Sequence, residues 1–99
     1  MDIKKTTDGS KLPVAVSGRL DTNTAPQLES ELKGCLDGVT DLTLDFSALD
    51  YISSAGLRVL LSVKKLMNTW NGDMKVVGCN DIVKEIFEVT GFTDILTVE

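Results

Sequence analysis

The 99-residue chain contains no histidine, and this absence excludes several kinds of active site. Without an imidazole there is no Ser-His triad, no histidine base and none of the usual histidine-containing zinc sites. The nucleophile pattern G-x-S-x-G and the phosphate-binding patterns G-x-G-x-x-G and G-x-x-x-x-G-K are also missing. We therefore expect a protein that is not an enzyme and that has no metal or cofactor of its own.

Positive charge is scarce, since 10 basic residues face 15 acidic ones and the net charge is -5. A surface that binds nucleic acid or an anionic membrane needs clustered Lys and Arg, so we expect neither partner. A protein partner fits this composition better. We expect Cys35 and Cys79, which are far apart and without metal-site spacing, to be buried free thiols rather than a disulfide.

Long apolar runs are absent as well. No stretch approaches the roughly 18 apolar residues of a membrane span, and Met1–Lys5 leads into polar residues rather than the apolar core of a signal peptide. We therefore expect a soluble, cytoplasmic chain that forms one domain over residues 1–99.

Apolar periodicity divides the chain into alternating strands and helices. Strands are predicted at 3–7, 12–16, 42–46, 74–77 and 95–98, and helices from Thr24 to Gly38, over 54–70, and around Ile82–Phe87 with a stop at Gly91. The turn at 8–10 predicts an antiparallel first hairpin, and later strand-helix alternation predicts parallel pairing through right-handed crossovers. The predicted fold is α/β, with a mixed, mostly parallel sheet of four to five strands and three helices.

Several local features are predicted from single residues. Pro13 lacks an N–H and predicts a bulge or an unpaired side in the second strand. Thr24 and Gln27 are spaced as a capping box, and Cys35 is placed on the buried face of the first helix. Gly91 is predicted in the left-handed conformation that ends the third helix.

The central stretch, 42–61, runs from a strand straight into the longest helix. Ser53 and Ser54 stand where that helix must begin, and serine is preferred there because its oxygen can accept from a free backbone amide. A simple cap is one interpretation. The other is a site, because a phosphate added there would meet free N–H groups and the positive end of the helix dipole.

A helical wheel of 54–70 gives a broad core face. Its members are Gly56, Val59, Leu60, Val63, Leu66, Met67 and Trp70. Leu57 and Leu61 lie between polar stripes that contain Arg58 and Lys64, and they form either an exposed apolar ridge for an acidic partner or a surface that a neighbouring helix covers.

Residues 45–57, DFSALDYISSAGL, resemble the signature of STAS domains, the family of bacterial anti-sigma factor antagonists. Weaker similarity extends through 17–21, SGRLD, and 89–92, VTGF. The resemblance implies a βα superhelix that usually has one further C-terminal helix, for which this chain is too short. It also implies an interaction switch: the unphosphorylated form binds an anti-sigma factor that is a serine kinase and so releases a sigma factor, and a PP2C-type phosphatase would reset it.

Matching the motif residue by residue places the phosphorylated serine at Ser54, with Ser53 as a fallback acceptor. Well-known members have Asp where this chain has Ser53, so kinase recognition through that Asp does not carry over. The partner-binding residues implied by the match and by the wheel are Asp21, Ser53, Ala55, Gly56, Leu57, Arg58, Leu61 and Lys64.

A small-ligand module is the alternative function, since some STAS domains are thought to bind nucleotides or to serve lipid transporters. It predicts a concave pocket near Asp21, Asp45 and the head of the central helix. Asp45 and Asp50 are otherwise interpreted as solvated acids, and the acids together do not make a metal site. A hydrolase is disfavoured because no histidine base accompanies the serine.

Overall fold

Five strands form one sheet in which the spatial order β1-β2-β3-β4-β5 is also the order along the chain. The computed structural model describes residues 1–6 and 8–99. The strands are β1 (Asp2–Lys5), β2 (Lys11–Leu20), β3 (Asp41–Ile52), β4 (Asp73–Val77) and β5 (Thr97–Val98). The helices are α1 (Ala25–Lys33), α2 (Ser54–Thr69) and α3 (Asp81–Val89), and a 3₁₀ turn spans Phe92–Asp94. β1 pairs antiparallel with β2, and the other pairs are parallel, which confirms the predicted fold.

One face of the sheet holds the core, because apolar residues alternate with polar ones along the strands. Leu12, Val14 and Val16 on β2 are buried, and Leu42 and Leu44 on β3 continue the same layer. Helical side chains join these in one hydrophobic cluster. The intervening strand residues are exposed or half-buried, so the opposite face of the sheet is open to solvent. No helix in the described ranges is long and apolar enough to span a bilayer.

β2 and β3 are longer than predicted. The register between them shifts between Ala15 and Ser17 and again between Gly18 and Arg19, and β3 carries the extra residues. Gly18 has φ +91°, a conformation that glycine adopts without strain. These bulges break the simple alternation, which is why the predicted strand ends at 16 and 46 were wrong.

Of the two alternatives predicted at Pro13, the bulge is absent, because this residue stays in register with Thr43. On its other side the ladder with β1 ends at the pair Lys5–Val14, and the Pro13 carbonyl accepts from the Thr6 N–H at 3.1 Å. The first strand was predicted to reach Thr7, which lies outside the described residues; β1 ends at Lys5. The last strand was predicted from Ile95 but begins at Thr97, because the 3₁₀ turn occupies the preceding residues.

Three predictions about helix ends are corrected. The capping box is absent: the Thr24 hydroxyl makes no cap bond and instead accepts from the Asp21 N–H at 2.9 Å. α1 ends at Lys33, so Cys35 lies beyond the helix, half-buried and with its sulfur 3.2 Å from the Lys5 ammonium. Trp70, predicted in the core, follows the last residue of α2 and is 48% exposed.

Other helix features are confirmed. Gly91 has φ +78°, and Phe92 packs behind it with its ring 6.3 Å from that of Phe87. Phe87 in turn stacks on Phe46 of β3 at 6.5 Å. The three rings join the end of α3 to the centre of the sheet.

Both cysteines are free, and Cys79 is buried.

The heads of α2 and α3 are built differently. Asn80 precedes α3, and its Oδ1 accepts from the Val83 N–H at 2.8 Å while its Nδ2 donates to the Leu49 carbonyl at 3.1 Å. β4 pairs only with the first part of β3, so this amide holds α3 against the remainder. Ser53 precedes α2 and makes no side-chain cap bond.

We predict that Asn80→Ala lowers the free energy of unfolding by about 1–2 kcal/mol, because a capping bond and a bond to Leu49 are both lost. The matched control is Ser53→Ala, which removes a helix-head side chain that forms no such bond and should cost less than about 0.5 kcal/mol. Urea unfolding followed by circular dichroism measures both. Equal losses in the two variants would show that the Asn80 side chain contributes no capping bond to α3.

Candidate functional site

The candidate site is the junction where β3 ends and α2 begins. Ser53 has extended backbone angles, φ -98° and ψ 176°, and its N–H donates to the Leu20 carbonyl at 2.8 Å. This bond fixes the end of β3 to the end of β2. In parallel sheets, ligands and partners meet the carboxyl ends of the strands, and the head of α2 lies at that edge.

Gly56 permits α2 to lie close to these strand ends. A Cβ at this position would stand 2.7 Å from Leu20 Cγ and 2.8 Å from Ile52 Cγ1, which is closer than side chains approach. Leu20 and Ile52 are themselves buried and aligned across β2 and β3. The Gly-Leu pair that follows the serines therefore has a packing role.

The two serines of the motif are not equivalent. Ser54 is the first residue of α2 and is exposed. The Oγ of Ser53 is buried, and among the residues that the structure describes it has no hydrogen-bond partner. Ser54 is therefore open to solvent as a residue, whereas the Ser53 hydroxyl is inaccessible in this conformation. This removes the basis for Ser53 as a fallback acceptor and for contact with a partner through its hydroxyl.

The head of α2 is electropositive through its backbone. The Leu57 N–H is the first to bond within the helix, to the Ser53 carbonyl at 3.0 Å. The amides of Ser54, Ala55 and Gly56 precede it and have no acceptor in the helix. These groups and the helix dipole favour an anion at this end.

The predicted apolar ridge is corrected. Leu57 is only 8% exposed and belongs to the hydrophobic core, and Leu61 is half-buried. The two leucines therefore do not form an exposed pair. For Leu57 the other alternative, a surface covered by neighbouring elements, is correct. Ala55 is half-buried and Gly56 is buried, so neither offers a large contact.

The exposed side of α2 is cationic. Arg58 is exposed and Lys64 is half-buried, and Lys65 is exposed beside it. These three are the charged residues of α2, which contains no Asp or Glu. In a chain of net charge -5, this helix presents the opposite sign. The sequence alone showed this feature, because all three cations fall in one predicted helix.

Asp21 lies directly after β2, close to the same edge. Its Oδ1 accepts from the N–H groups of Asn23 at 3.0 Å and Thr24 at 3.2 Å. Desolvation raises the pKa of Asp21, but these bonds, the Thr24 hydroxyl and the nearby Arg19 outweigh it and hold that pKa below its usual value. The carboxylate is therefore charged at neutral pH and shapes the turn into α1.

Arg19 and Tyr51 form a contact that sequence reasoning missed. They are paired across β2 and β3, and the guanidinium carbon lies 4.7 Å from the centre of the ring. Arg19 Nε is also 3.9 Å from Asp21 Oδ2. The pairing depends on the two register shifts, which residue spacing does not reveal.

The cavity beside Asp45 lacks the other residues that the small-ligand alternative predicts. Asp45 borders a cavity of about 190 Å³ on the open face of the sheet, together with Lys4, Ala15 and Ser47. Asp21 and the head of α2 do not line it. The Ser47 N–H donates to Asp45 and lowers its pKa, so this acid is satisfied locally. Over the described ranges, no cluster of three metal-binding side chains is found.

Comparison with known proteins gives a consistent result. The model of the STAS domain family matches residues 2–99. BtrV of Bordetella bronchiseptica, named as an anti-sigma factor antagonist, is 40% identical over 88 residues, which cover 88% of this chain and 76% of that protein.

Solved structures show the same fold. An anti-sigma factor antagonist from Mycobacterium paratuberculosis superposes with a TM-score of 0.87 at 24% identity, over 98% of this chain and 83% of the other. The Bacillus cell fate determinant SpoIIAA in its phosphorylated form gives 0.78 at 14% identity, over 99% and 91%.

We predict that Gly56→Ala destabilises the protein by about 1–3 kcal/mol, because the new methyl group overlaps Leu20 and Ile52. Helix propensity alone would favour alanine by about 1 kcal/mol, so the two effects have opposite signs. The unfolding free energy in urea measures the outcome. Asn68→Ala, on the exposed side of the same helix, is the control and should change stability by less than about 0.5 kcal/mol. A Gly56→Ala protein as stable as the parent would refute the close packing.

Proposed function

Because the chain belongs to the STAS domain family of anti-sigma factor antagonists, we propose that it is a protein-interaction switch controlled by phosphorylation of Ser54. The unphosphorylated form binds an anti-sigma factor that is also a serine kinase, and this releases a sigma factor. The observation that carries the proposal is that Ser54 is exposed at the head of α2, whereas the Oγ of the adjacent Ser53 is buried.

The chemistry requires no catalytic group from this chain. The kinase transfers the γ-phosphoryl group of ATP to Ser54 Oγ, so that a P–O bond to serine forms, the bond to the β-phosphate breaks and ADP leaves. A base of the kinase takes the hydroxyl proton. ATP, magnesium and the base belong to the kinase, and a PP2C-type phosphatase restores the hydroxyl. The chain acts in the cytoplasm without a cofactor, nucleic acid or membrane.

The position of Ser54 explains how a phosphate can act without refolding the chain. Phosphorylation adds about -1.5 to -2 charges and three acceptor oxygens. The free amides of the first turn and the helix dipole accommodate that charge locally. The buried contact of Gly56 with Leu20 and Ile52 lies on the other side of the helix and does not have to change. The added phosphate therefore changes the charge of the surface that contacts a partner.

The partner surface is the exposed side of α2, with Asp21 at the adjacent strand end. Arg58, Lys64 and the half-buried Leu61 favour an acidic segment that has an apolar residue. A phosphate at Ser54 repels such a segment. At about 6 Å and an effective dielectric near 20, one pair of like charges costs roughly 2–3 kcal/mol, which is about a hundredfold in affinity.

We predict that Ser54→Asp weakens binding to the cognate anti-sigma factor by at least about tenfold, since the carboxylate supplies a single negative charge at the contact. Ser54→Ala should bind like the parent but accept no phosphate. The anti-sigma factor co-purified from the source cells is the partner, and calorimetry and intact-mass spectrometry after incubation with ATP are the measurements.

Ser53→Ala is the matched control in this experiment. This variant keeps Ser54 and removes the buried hydroxyl of residue 53, so it should bind the partner and gain one phosphate as the parent protein does. Phosphate on the Ser54→Ala protein, or undiminished binding by Ser54→Asp, would contradict the proposal. Circular dichroism establishes that each variant is folded before it is scored.

A further inference from the structure

Arg58 stands one helical turn after Ser54, and both residues are exposed. Residues at i and i+4 of a helix are neighbours on its surface, and an anion placed N-terminal to a cation is the favourable order. In the part of the chain that the structure describes, Arg58 takes part in no ion pair, whereas Lys5, Arg19, Lys33 and Lys75 each do.

The other cationic side chains of α2 and of the adjacent end of β2 are either distant or engaged. Lys64 and Lys65 lie ten and eleven residues beyond Ser54, which at 1.5 Å per residue is about 15–16 Å along the helix. Arg19 lies against the Tyr51 ring and beside the Asp21 carboxylate. Among these side chains, Arg58 is therefore the one placed to reach a group attached to Ser54 Oγ.

We propose that Arg58 is the residue that receives the phosphate: its guanidinium pairs with the phosphate oxygens on Ser54 and is thereby withdrawn from the partner surface. This inference rests on the phosphorylation of Ser54 proposed above. Guanidinium suits the role because its fixed N–H groups can hold two phosphate oxygens at once, in a geometry that lysine cannot reproduce.

The pairing gives the phosphate two effects. It places negative charge at the head of α2, and it occupies the cation nearest to that head. A partner carboxylate that binds Arg58 in the unphosphorylated protein would then have to compete with an intramolecular phosphate. The surface left for an acidic partner would be the more distant pair Lys64 and Lys65.

The test uses full-length protein with phosphoserine installed at position 54 during synthesis, and it follows the phosphate by ³¹P NMR across a pH titration. A cation paired with the phosphate stabilises the dianion and lowers its second pKa. Arg58→Gln should raise that pKa by about 0.15–0.4 unit, because the dianion and the monoanion differ by one charge and the loss of one helix-surface pair of this kind therefore counts once. Arg58→Lys should raise it by less.

Lys65→Gln is the matched control, because it removes one positive charge from the same helix at a distance where screening is strong. It should move the pKa by less than about 0.1 unit. Asp21 and Asp50, the nearby acids, are unchanged in all of these proteins, so their influence cancels. Equal shifts in Arg58→Gln and Lys65→Gln, or no shift in Arg58→Gln, would overturn the inference.

The result is independent of whether a kinase modifies Ser54, because the phosphate is installed chemically. A failed pKa shift therefore removes the role of Arg58 and leaves the proposed switch standing. If the kinase does not modify Ser54, the proposed switch is refuted. The NMR titration does not test that step, because its phosphate is installed during synthesis.

Discussion

The close contact of Gly56 with Leu20 and Ile52 is the constraint on which the site depends. It lets the head of α2 lie directly on the carboxyl ends of β2 and β3, and the bond from Ser53 to the Leu20 carbonyl fixes the chain just before it. A helix held this firmly at its first turn presents the next side chain, Ser54, in a set direction. The buried side of the helix is structural and the exposed side is free for recognition.

This arrangement separates stability from regulation. No polar or charged residue in the described ranges is buried as a whole, and the buried Oγ atom of Ser53 lies at the head of α2. The charged residues of α2 lie on the solvent side, so a change of charge at Ser54 alters the surface potential without opening the core. In the proposed switch, a phosphate on Ser54 would therefore change which protein binds while the fold stays as it is.

Periodicity predicted the architecture well because strand and helix repeats are local. The bounds of α2 and the buried alternation of β3 up to Phe46 follow directly from the order of apolar residues. The remainder of β3 could not be predicted in this way. The two register shifts depend on pairing with β2, and no repeat within 47–52 indicates that pairing. The Arg19–Tyr51 contact was missed for the same reason.

The site was predictable to the level of the segment but not of the single atom. The sequence placed two serines at the head of a helix, and both were compatible with a cap or an acceptor. Their difference arises from the extended backbone at Ser53, which turns one hydroxyl inward. The burial of Leu57 likewise depends on packing between elements, which a helical wheel of one segment does not contain.

The central claim is that a phosphate at position 54 changes the surface of the protein and leaves its fold unchanged. The most direct test is the ¹H–¹⁵N NMR spectrum of the protein with and without phosphoserine at that position. We predict large shifts in the amides of the first turn of α2 and at the adjacent end of β2, with the amides of β4 and α3 unchanged. Widespread shifts through β4 and α3 would show that the phosphate reorganises the fold, and they would contradict the account.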